Sequence, residues 1–563
     1  MKYSELIKLN NELDVVVDGS EYRIVILSNI MVHQSKEICE FLLRTESVNA
    51  NVLLGEYDNI IQDSTKFQDA NAIVIFWEAC NFVDGLQYKA ESLSSPEFES
   101  IVLKIKNEID LILRNLKDIP LVLINRFSSL IFDQFSLSNN KMNQLVGRLN
   151  VYLKEKCGVN VKIIDIDKVI SRLSIKSSID LRYYYSSKTL YSIDFYKKYF
   201  EYIKPIFLST TGKIKKALIF DCDNTLWKGV LGEDGFDNIK IYNEIQHLIL
   251  HLAKKGVIIC LCSKNNPQDV DNVLENHPDM ILRDEHIVVK KVNWSDKVSN
   301  LKSISQDLNI GLDSLVFIDD SSFEIGLIKK ELPTIKTFQV PVKEYEYGLM
   351  MREVSNLFYS PSQTKEDIQK VKIYKKQLQR SEDRGRVGNI EDYLRSLGLA
   401  LIVHVDDLSQ VSRIAQMTQK TNQFNLTTIR YTESDIKKLV EDELKTVISI
   451  SVSDKYGDSG VTGLAILDSD KSAIDTLLLS CRVLGRNIEY KFMDIIIDFA
   501  KNKDIRVLNS QYIKTIKNQQ VSDFYERCGF VKIDEVDSSS QYNLHVENYK
   551  NKDMKYIRIE NGK

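Results

Sequence analysis

The sequence predicts a multidomain α/β protein, and three observations carry that expectation. Its 563 residues are enough for three or four domains with a core in each. Short apolar runs alternate with segments of helical periodicity from the N-terminus onward, the rhythm of parallel strands covered by helices. From about Leu397, four strand candidates follow one another and start a further domain.

Residues 1–212 form the first expected domain. Tyr22–Ser28, Ala72–Phe76, Leu121–Asn125 and Val161–Asp165 are apolar runs of strand length, and Ser35–Arg44, Glu97–Leu116 and Asn139–Lys156 have helical spacing between them. A short basic linker, Thr210–Lys216, leads to residues 213–350, where the chemistry concentrates. Ala217–Phe220 reads as a buried parallel strand ending in two acids one residue apart, Asp221 and Asp223. At a strand's carboxyl end such acids face the crevice where open α/β sheets bind ligands. Two close carboxylates repel unless a cation or shared proton relieves them, so the pair suggests a divalent metal or an acid/base couple; the rival reading is an acidic turn.

Downstream signals favour the first reading. A second apolar run, Gly256–Cys262, ends at Ser263, whose hydroxyl can bond a phosphate oxygen. Lys297 falls near a helix start, a natural place to meet an anion. A third run, Leu315–Ile318, ends in Asp319 and Asp320. Strand and acid, strand and serine, helix and lysine, strand and acid pair can together build a phosphoryl-transfer site.

These four pieces resemble the four motifs of the haloacid dehalogenase superfamily of aspartate-nucleophile phosphatases, and DNTLWKGVLGEDG closely resembles its FkbH-like branch. The resemblance implies a Rossmannoid domain with Asp221 as nucleophile and Asp223 as general acid and then base. It implies that Ser263 and Lys297 hold the phosphoryl group, and that Asp319 or Asp320 joins Asp221 and the Asp223 backbone carbonyl on Mg2+. One departure stands out: the family's acid pair is followed by an asparagine and later a Glu-Arg pair, whereas Ser321, Ser322, Phe323, Glu324 and Ile325 follow here. The acid pair is kept, so the departure puts only that arginine's contact in doubt. Little chain separates the motifs, so no large cap is expected, and an uncovered site suits a bulky or carrier-tethered substrate.

Such proteins often begin with an SGNH-hydrolase-like, flavodoxin-like sheet, and Ser28 and Asn29 resemble its opening. No Asp-x-x-His completes a triad near residue 190, so residues 1–212 are expected to be non-catalytic, in a docking or scaffold role.

Residues 351–396 read as a helical connector, started by Pro361 and Ser362, with its charge run a solvated face. Residues 397–563 form the last expected domain, with strands at Ala400–Val405, Lys445–Ser453, Gly460–Leu467 and Ile474–Ser480. Cys481, Arg482, Gly485 and Arg486 lie between the last strand and an amphipathic helix, a turn that offers backbone N–H groups and a helix dipole to a phosphate. With Asn518 and the segment around Tyr525, this resembles a GNAT-type acyltransferase. There the turn cradles a pantetheine phosphate and a tyrosine at the position of Tyr525 protonates the leaving thiolate. Cys481 is the thiol to watch, since cationic neighbours and a helix start favour thiolate; the alternative is a small residue packed behind the turn.

QKTNQFNLTT, DKYGDSGVTG and DTLLLSCRVLGR also resemble FkbH-like proteins, whose associated activity is loading a glyceryl unit from a glycolytic bisphosphate onto an acyl carrier protein. The resemblance therefore implies a phosphorylated three-carbon acid as substrate, Mg2+ as cofactor, the phosphopantetheine arm of a carrier protein as acceptor, and a place in polyketide-type secondary metabolism. The rivals are a phosphatase of another small phosphorylated molecule and a non-catalytic carrier-protein scaffold.

Composition narrows the remaining classes. With 75 basic and 79 acidic residues there is no bulk electrostatic case for nucleic acid or membrane binding. No long apolar span or signal-like start is present, so a cytoplasmic location is expected. The eight cysteines show neither redox nor zinc spacing and are expected to be reduced.

Overall fold

The computed structural model describes residues 1–17, 19–131, 140–360, 363–386, 389–515 and 517–561. The chain forms two compact units, one of Met1–Thr211 with Tyr431–Asp435 and one of Gly212–Arg430 with Ile436–Lys563. Each is an α/β assembly.

The first unit holds five strands: β1 (Tyr22–Ser28), β2 (Ala50–Leu54), β3 (Ala72–Phe76), β4 (Leu121–Asn125) and β5 (Val161–Ile164). All pair in parallel, in the order β2-β1-β3-β4-β5 of flavodoxin-like sheets. Their continuous apolar runs exist because both faces are covered. Ile24, Ile26, Val74 and Phe76 pack on one side with Tyr196, Tyr199 and Ile203, while Val25, Leu27, Ile73 and Ile75 pack on the other with Ile105, Ile109 and Leu149. The helix Ser95–Asn115 is closed at its start by a Ser94/Glu97 capping box, and it buries Phe98, Val102, Ile105, Ile109 and Ile112. Each such side chain contributes about 1.5–3 kcal/mol of gross burial. Among the elements that escape the sequence pattern are the edge strand β2, only partly buried, and the helix Ile193–Thr210, which carries Pro205 inside it. Ser28 donates its hydroxyl to the Ile30 carbonyl at 2.7 Å, and the Asn29 amide pairs with the backbone of Glu78, so both are tied into the strand end.

The second unit contains two sheets. The first comprises β6 (Ala217–Phe220), β9 (Ile258–Ser263), β10 (Ile287–Val292), β11 (Leu315–Asp319) and β12 (Lys336–Gln339), with a small ribbon of β7 (Trp227–Lys228) and β8 (Lys240–Ile241) beside it. The five are parallel in the order β10-β9-β6-β11-β12, a Rossmannoid arrangement whose first strand is central. β9 begins later than its apolar run because Gly256, at φ +86°, closes the preceding helix Asn243–Lys254. A side chain there would also press on Asp367, since a Cβ would lie 2.8 Å from that residue's own Cβ. Beyond the ribbon, the short turn of helix Leu231–Asp234 is the sole element between β7 and β8, so no large cap is inserted there.

The second sheet comprises β13 (Ala400–Val405), β14 (Phe424–Asn425), β15 (Lys445–Asp454), β16 (Gly457–Asp468), β17 (Ala473–Leu479), β18 (Val507–Ile513), β19 (Val531–Val536), β20 (Ser539–His545) and β21 (Arg558–Asn561). Its order is β19-β20-β18-β17-β16-β15-β13-β21, mostly antiparallel. β17 and β18 run parallel and pair only through Ala473–Asn509 and Ile474–Ser510 before they diverge. β14 takes up Leu478 and Leu479 beyond that point. Asn518 closes the gap, donating to the carbonyls of Asn425 and Ile513 at 2.9 Å each and accepting from the Thr515 N–H at 2.8 Å. Because Asn518 is wholly buried, Asn518→Ala is expected to lower stability by about 1–3 kcal/mol through unpaired backbone groups, read from urea unfolding.

The connector differs from the expected solvated face. Pro361 and Ser362 lie outside the described residues, and the helix Lys370–Arg386 is the connector's longest element. Several of its charges turn inward: Arg380 makes two 2.8 Å bonds to the buried Asp454, and Lys375 bonds Asp284. Helical periodicity placed the element, but only packing between two sheets decides that its charged side is covered. Among the described residues, no helix is long and apolar enough to cross a membrane, and all eight cysteines are free.

Candidate active site

The first constellation lies at the carboxyl ends of β6, β9 and β11. Asp221 follows β6, Ser263 ends β9, Asp319 ends β11, and Lys297 is the first residue of the helix Lys297–Leu308, which Asp296 caps by accepting from the Ser299 N–H. β6 lies between β9 and β11, so the chain leaves it toward one neighbour and returns through the other. This is the switch point where a crevice opens.

Lys297 binds the acids together. Its Nζ is 2.6 Å from Asp319 Oδ2 and 3.2 Å from Asp221 Oδ2, and all three side chains are buried. Burial by itself would lower this ammonium's pKa, but Asp221 and Asp319 hold it well above its ordinary value. Burial and the nearby Asp221 push Asp319 up to about 6. Burial, then Asp221, raises Asp320 as well.

Asp223 is held differently. Trp227 Nε1 at 2.9 Å and the Leu231 N–H at 3.0 Å donate to its Oδ1, and Asn265 Nδ2 at 2.9 Å donates to its Oδ2. Burial outweighs these donors and raises its pKa. Ser263 is buried beside the Cys222 thiol, whose own pKa is pushed up by burial and by Asp221. Lys264 is paired with Glu324 at 2.7 Å.

The donor set fits a hard divalent cation. Asp221, Asp319 and Asp320 each offer an oxygen within 4.8 Å of the others, and Asp221 Oδ1 is buried without a hydrogen-bond partner. The Asp223 carboxylate stands outside this group, so its expected share is the backbone carbonyl. Sequence reasoning missed Trp227 as a donor to Asp223, and the four-residue spacing inside DNTLW was the available signal. Asn265 was visible as a polar residue behind Ser263, but its partner was not.

The C-terminal candidates separate into three places. Cys481 and Arg482 line a cavity of about 280 Å3, where the Tyr374 hydroxyl lies beside the thiol and Asn309 donates to the Cys481 carbonyl at 3.1 Å. Arg486 instead reaches Asp454 at 3.0 Å, joining Arg380 there, and Gly485 makes its turn at φ +76° outside the cavity lining. Tyr525 is buried among Phe530 and Tyr542, and Asn518 braces β14 against β18. The structure thus brings Cys481 and Arg482 together and leaves Arg486, Gly485, Asn518 and Tyr525 apart from them. For Arg486 the cause is Asp454, whose buried side chain claims the arginine the turn was expected to present.

Neither a family model nor a curated protein matches the sequence. Among solved structures, the N-terminal part of the protein BF1531 from Bacteroides fragilis, which contains a phosphatase domain and is complexed with Mg, is 23% identical. The match covers 64% of this chain and 100% of that one, with a TM-score of 0.56. It is a likeness of fold. Mutant forms of the spermidine/spermine N-acetyltransferase SpeG from Vibrio cholerae are 12% identical over 26% of this chain and 95% of theirs, at a TM-score of 0.21. The N-acetyltransferase PseH from Campylobacter jejuni is 19% identical over 20% of this chain and 74% of its own, at 0.16.

Proposed function

We propose that this chain is a Mg2+-dependent phosphatase with Asp221 as nucleophile, coupled to an acyl transfer that forms glyceryl-acyl carrier protein from a phosphorylated three-carbon acyl donor such as 1,3-bisphosphoglycerate. The observation that carries the reading is the buried Asp221–Lys297–Asp319 cluster at the sheet's switch point, with one Asp221 oxygen left unbonded.

In the phosphatase step, an Asp221 oxygen forms a bond to phosphorus as the bond to the ester oxygen breaks. The departing oxygen takes a proton from Asp223, whose raised pKa and three fixed donors keep the carboxyl aimed. A water then gives its proton to Asp223 and attacks phosphorus, which releases phosphate and restores Asp221. Lys297 and Ser263 hold the equatorial oxygens of the transferring group. Asp221, Asp319 and Asp320 would hold the cation, which when bound supplies positive charge to offset that of the phosphate.

In the acyl step, the Cys481 sulfur bonds the carbonyl carbon of the acyl phosphate and phosphate leaves with the electron pair. The carrier thiol then attacks the thioester and frees Cys481. Incubating the chain with holo carrier protein, Mg2+ and 1,3-bisphosphoglycerate should add one glyceryl unit to the carrier by intact mass. An unmodified carrier under every metal condition would refute the coupling, while phosphate release without carrier would leave a plain phosphatase.

A further inference from the structure

The cavity beside Cys481 lies at the amino end of β6 and β11, the opposite end of the strands from Asp221. Lys216 and Ser314, which line it, stand just before β6 and β11, whereas the acids stand just after them. The extended chain from Lys216 to Asp221 spans about 16 Å at about 3.3 Å per residue. One small ligand cannot touch both places.

Six cationic side chains line the cavity against three carboxylates. Three cations are paired: Lys420 with Asp367 at 3.4 Å, Arg413 with Glu366 at 3.7 Å, and Lys517 with Asp313. Among the described residues, Lys216, Lys370 and Arg482 have no carboxylate within ion-pair distance. Lys216 donates to the Lys420 carbonyl, and Arg482 donates through Nε to Ser480 Oγ at 3.2 Å. Arg482 is only 7% exposed, so its remaining N–H groups have little access to bulk water. Like charges held close together without a counter-charge are costly, and a fold that keeps three of them around one cavity, with Arg482 buried and Lys216 and Lys370 half-buried, is arranged for an anion from solution.

We infer that this cavity is a metal-independent binding site for a small phosphate ester, whose phosphate is held by Lys216, Lys370 and Arg482 with its organic part toward Cys481. Planar arginine and ammonium donors suit phosphate oxygens, and a volume of about 280 Å3 is close to the lower end of small-molecule sites, about 300–1,000 Å3. The site deepens the proposed acyl step, which also places a phosphorylated donor at Cys481, and it is independent of the phosphatase step, since Asp221, Asp223, Ser263, Lys297, Asp319 and Asp320 are all outside its lining.

The charge balance gives the site a pH signature. Burial, then Lys420, Lys216 and Arg482, lower Lys370 from 10.5 to about 7 against the opposing pull of Asp367; Cys481, Tyr374, Arg413, Glu366 and the Lys517–Asp313 pair are the other titratable and charged groups of the lining. A bound dianion raises that pKa again. Above about pH 7, binding therefore takes up a proton, and affinity falls as pH rises.

The test uses the full chain in EDTA and phosphate-free buffer. Glycerol 3-phosphate, inorganic phosphate and 4′-phosphopantetheine are titrated by calorimetry, and iodoacetamide labelling of Cys481 is followed by peptide mass spectrometry. The inference expects glycerol 3-phosphate to bind, to slow labelling at Cys481 by about tenfold or more, and to lose about tenfold in affinity in both Lys370→Met and Arg482→Gln. Each substitution removes a mutually repelling cation, and an unchanged melting temperature verifies the fold. The inference is overturned by no binding with unprotected Cys481, by binding that the two variants leave unchanged, or by binding of 4′-phosphopantetheine alone, which would assign the cavity to a carrier arm.

Discussion

Asp221→Asn is expected to lower Mg2+-dependent phosphatase turnover by about four orders of magnitude or more, the loss typical of removing a nucleophile. An amide oxygen cannot attack phosphorus at a useful rate. Lys297 keeps its 2.6 Å contact with Asp319, so the fold has no reason to fail. Removing one of two carboxylates that repel across the crevice is expected to leave the melting temperature unchanged or slightly raised. Steady-state release of p-nitrophenol from p-nitrophenyl phosphate, with thermal unfolding alongside, checks both halves. Turnover within tenfold of the parent would dismiss Asp221 as the nucleophile.

Lys297→Met should have the largest effect on stability. It strands Asp319, which is fully buried, and Asp221 beside it, with no cation between them. Breaking a buried ion pair from one side costs about 3–5 kcal/mol. In EDTA the variant is therefore expected to unfold at clearly lower denaturant than the parent. Mg2+ should restore more stability to it than to the parent, because the orphaned carboxylates then have only the metal to offset them. Equal Mg2+ stabilisation of both proteins would show that the acids do not share a cation. Asp319 has its pKa raised to about 6 with Lys297 in place. Without Lys297 it should protonate at still higher pH, so the variant's deficit in EDTA should shrink as pH falls below that range.

Much of the phosphatase-like site was legible because its parts are local. An acid after an apolar run, a serine after the next and a lysine at a helix start can each be read within a few residues. A parallel sheet then delivers all the strand ends to one edge, so local order becomes spatial convergence. The C-terminal turn misled for the opposite reason. Arg486 lies 32 residues from Asp454 in the chain, and only the fold brings that carboxylate and Arg380 onto it. The connector's charges likewise read as a solvated face in the sequence, whereas Lys370 lines the cavity and Arg380 binds Asp454.

The sequence by itself determined the α/β alternation, the order of the four motifs and the identity of the acids, since strand burial and helix periodicity depend on near neighbours. Tertiary structure alone decided that Lys297 spans Asp221 and Asp319, that Trp227 and Asn265 orient Asp223, and that Lys216, Lys370 and Arg482 meet around Cys481. The physical reason is range. Periodicity reports which face of an element is covered, whereas charge pairing and cavity lining depend on which distant element does the covering.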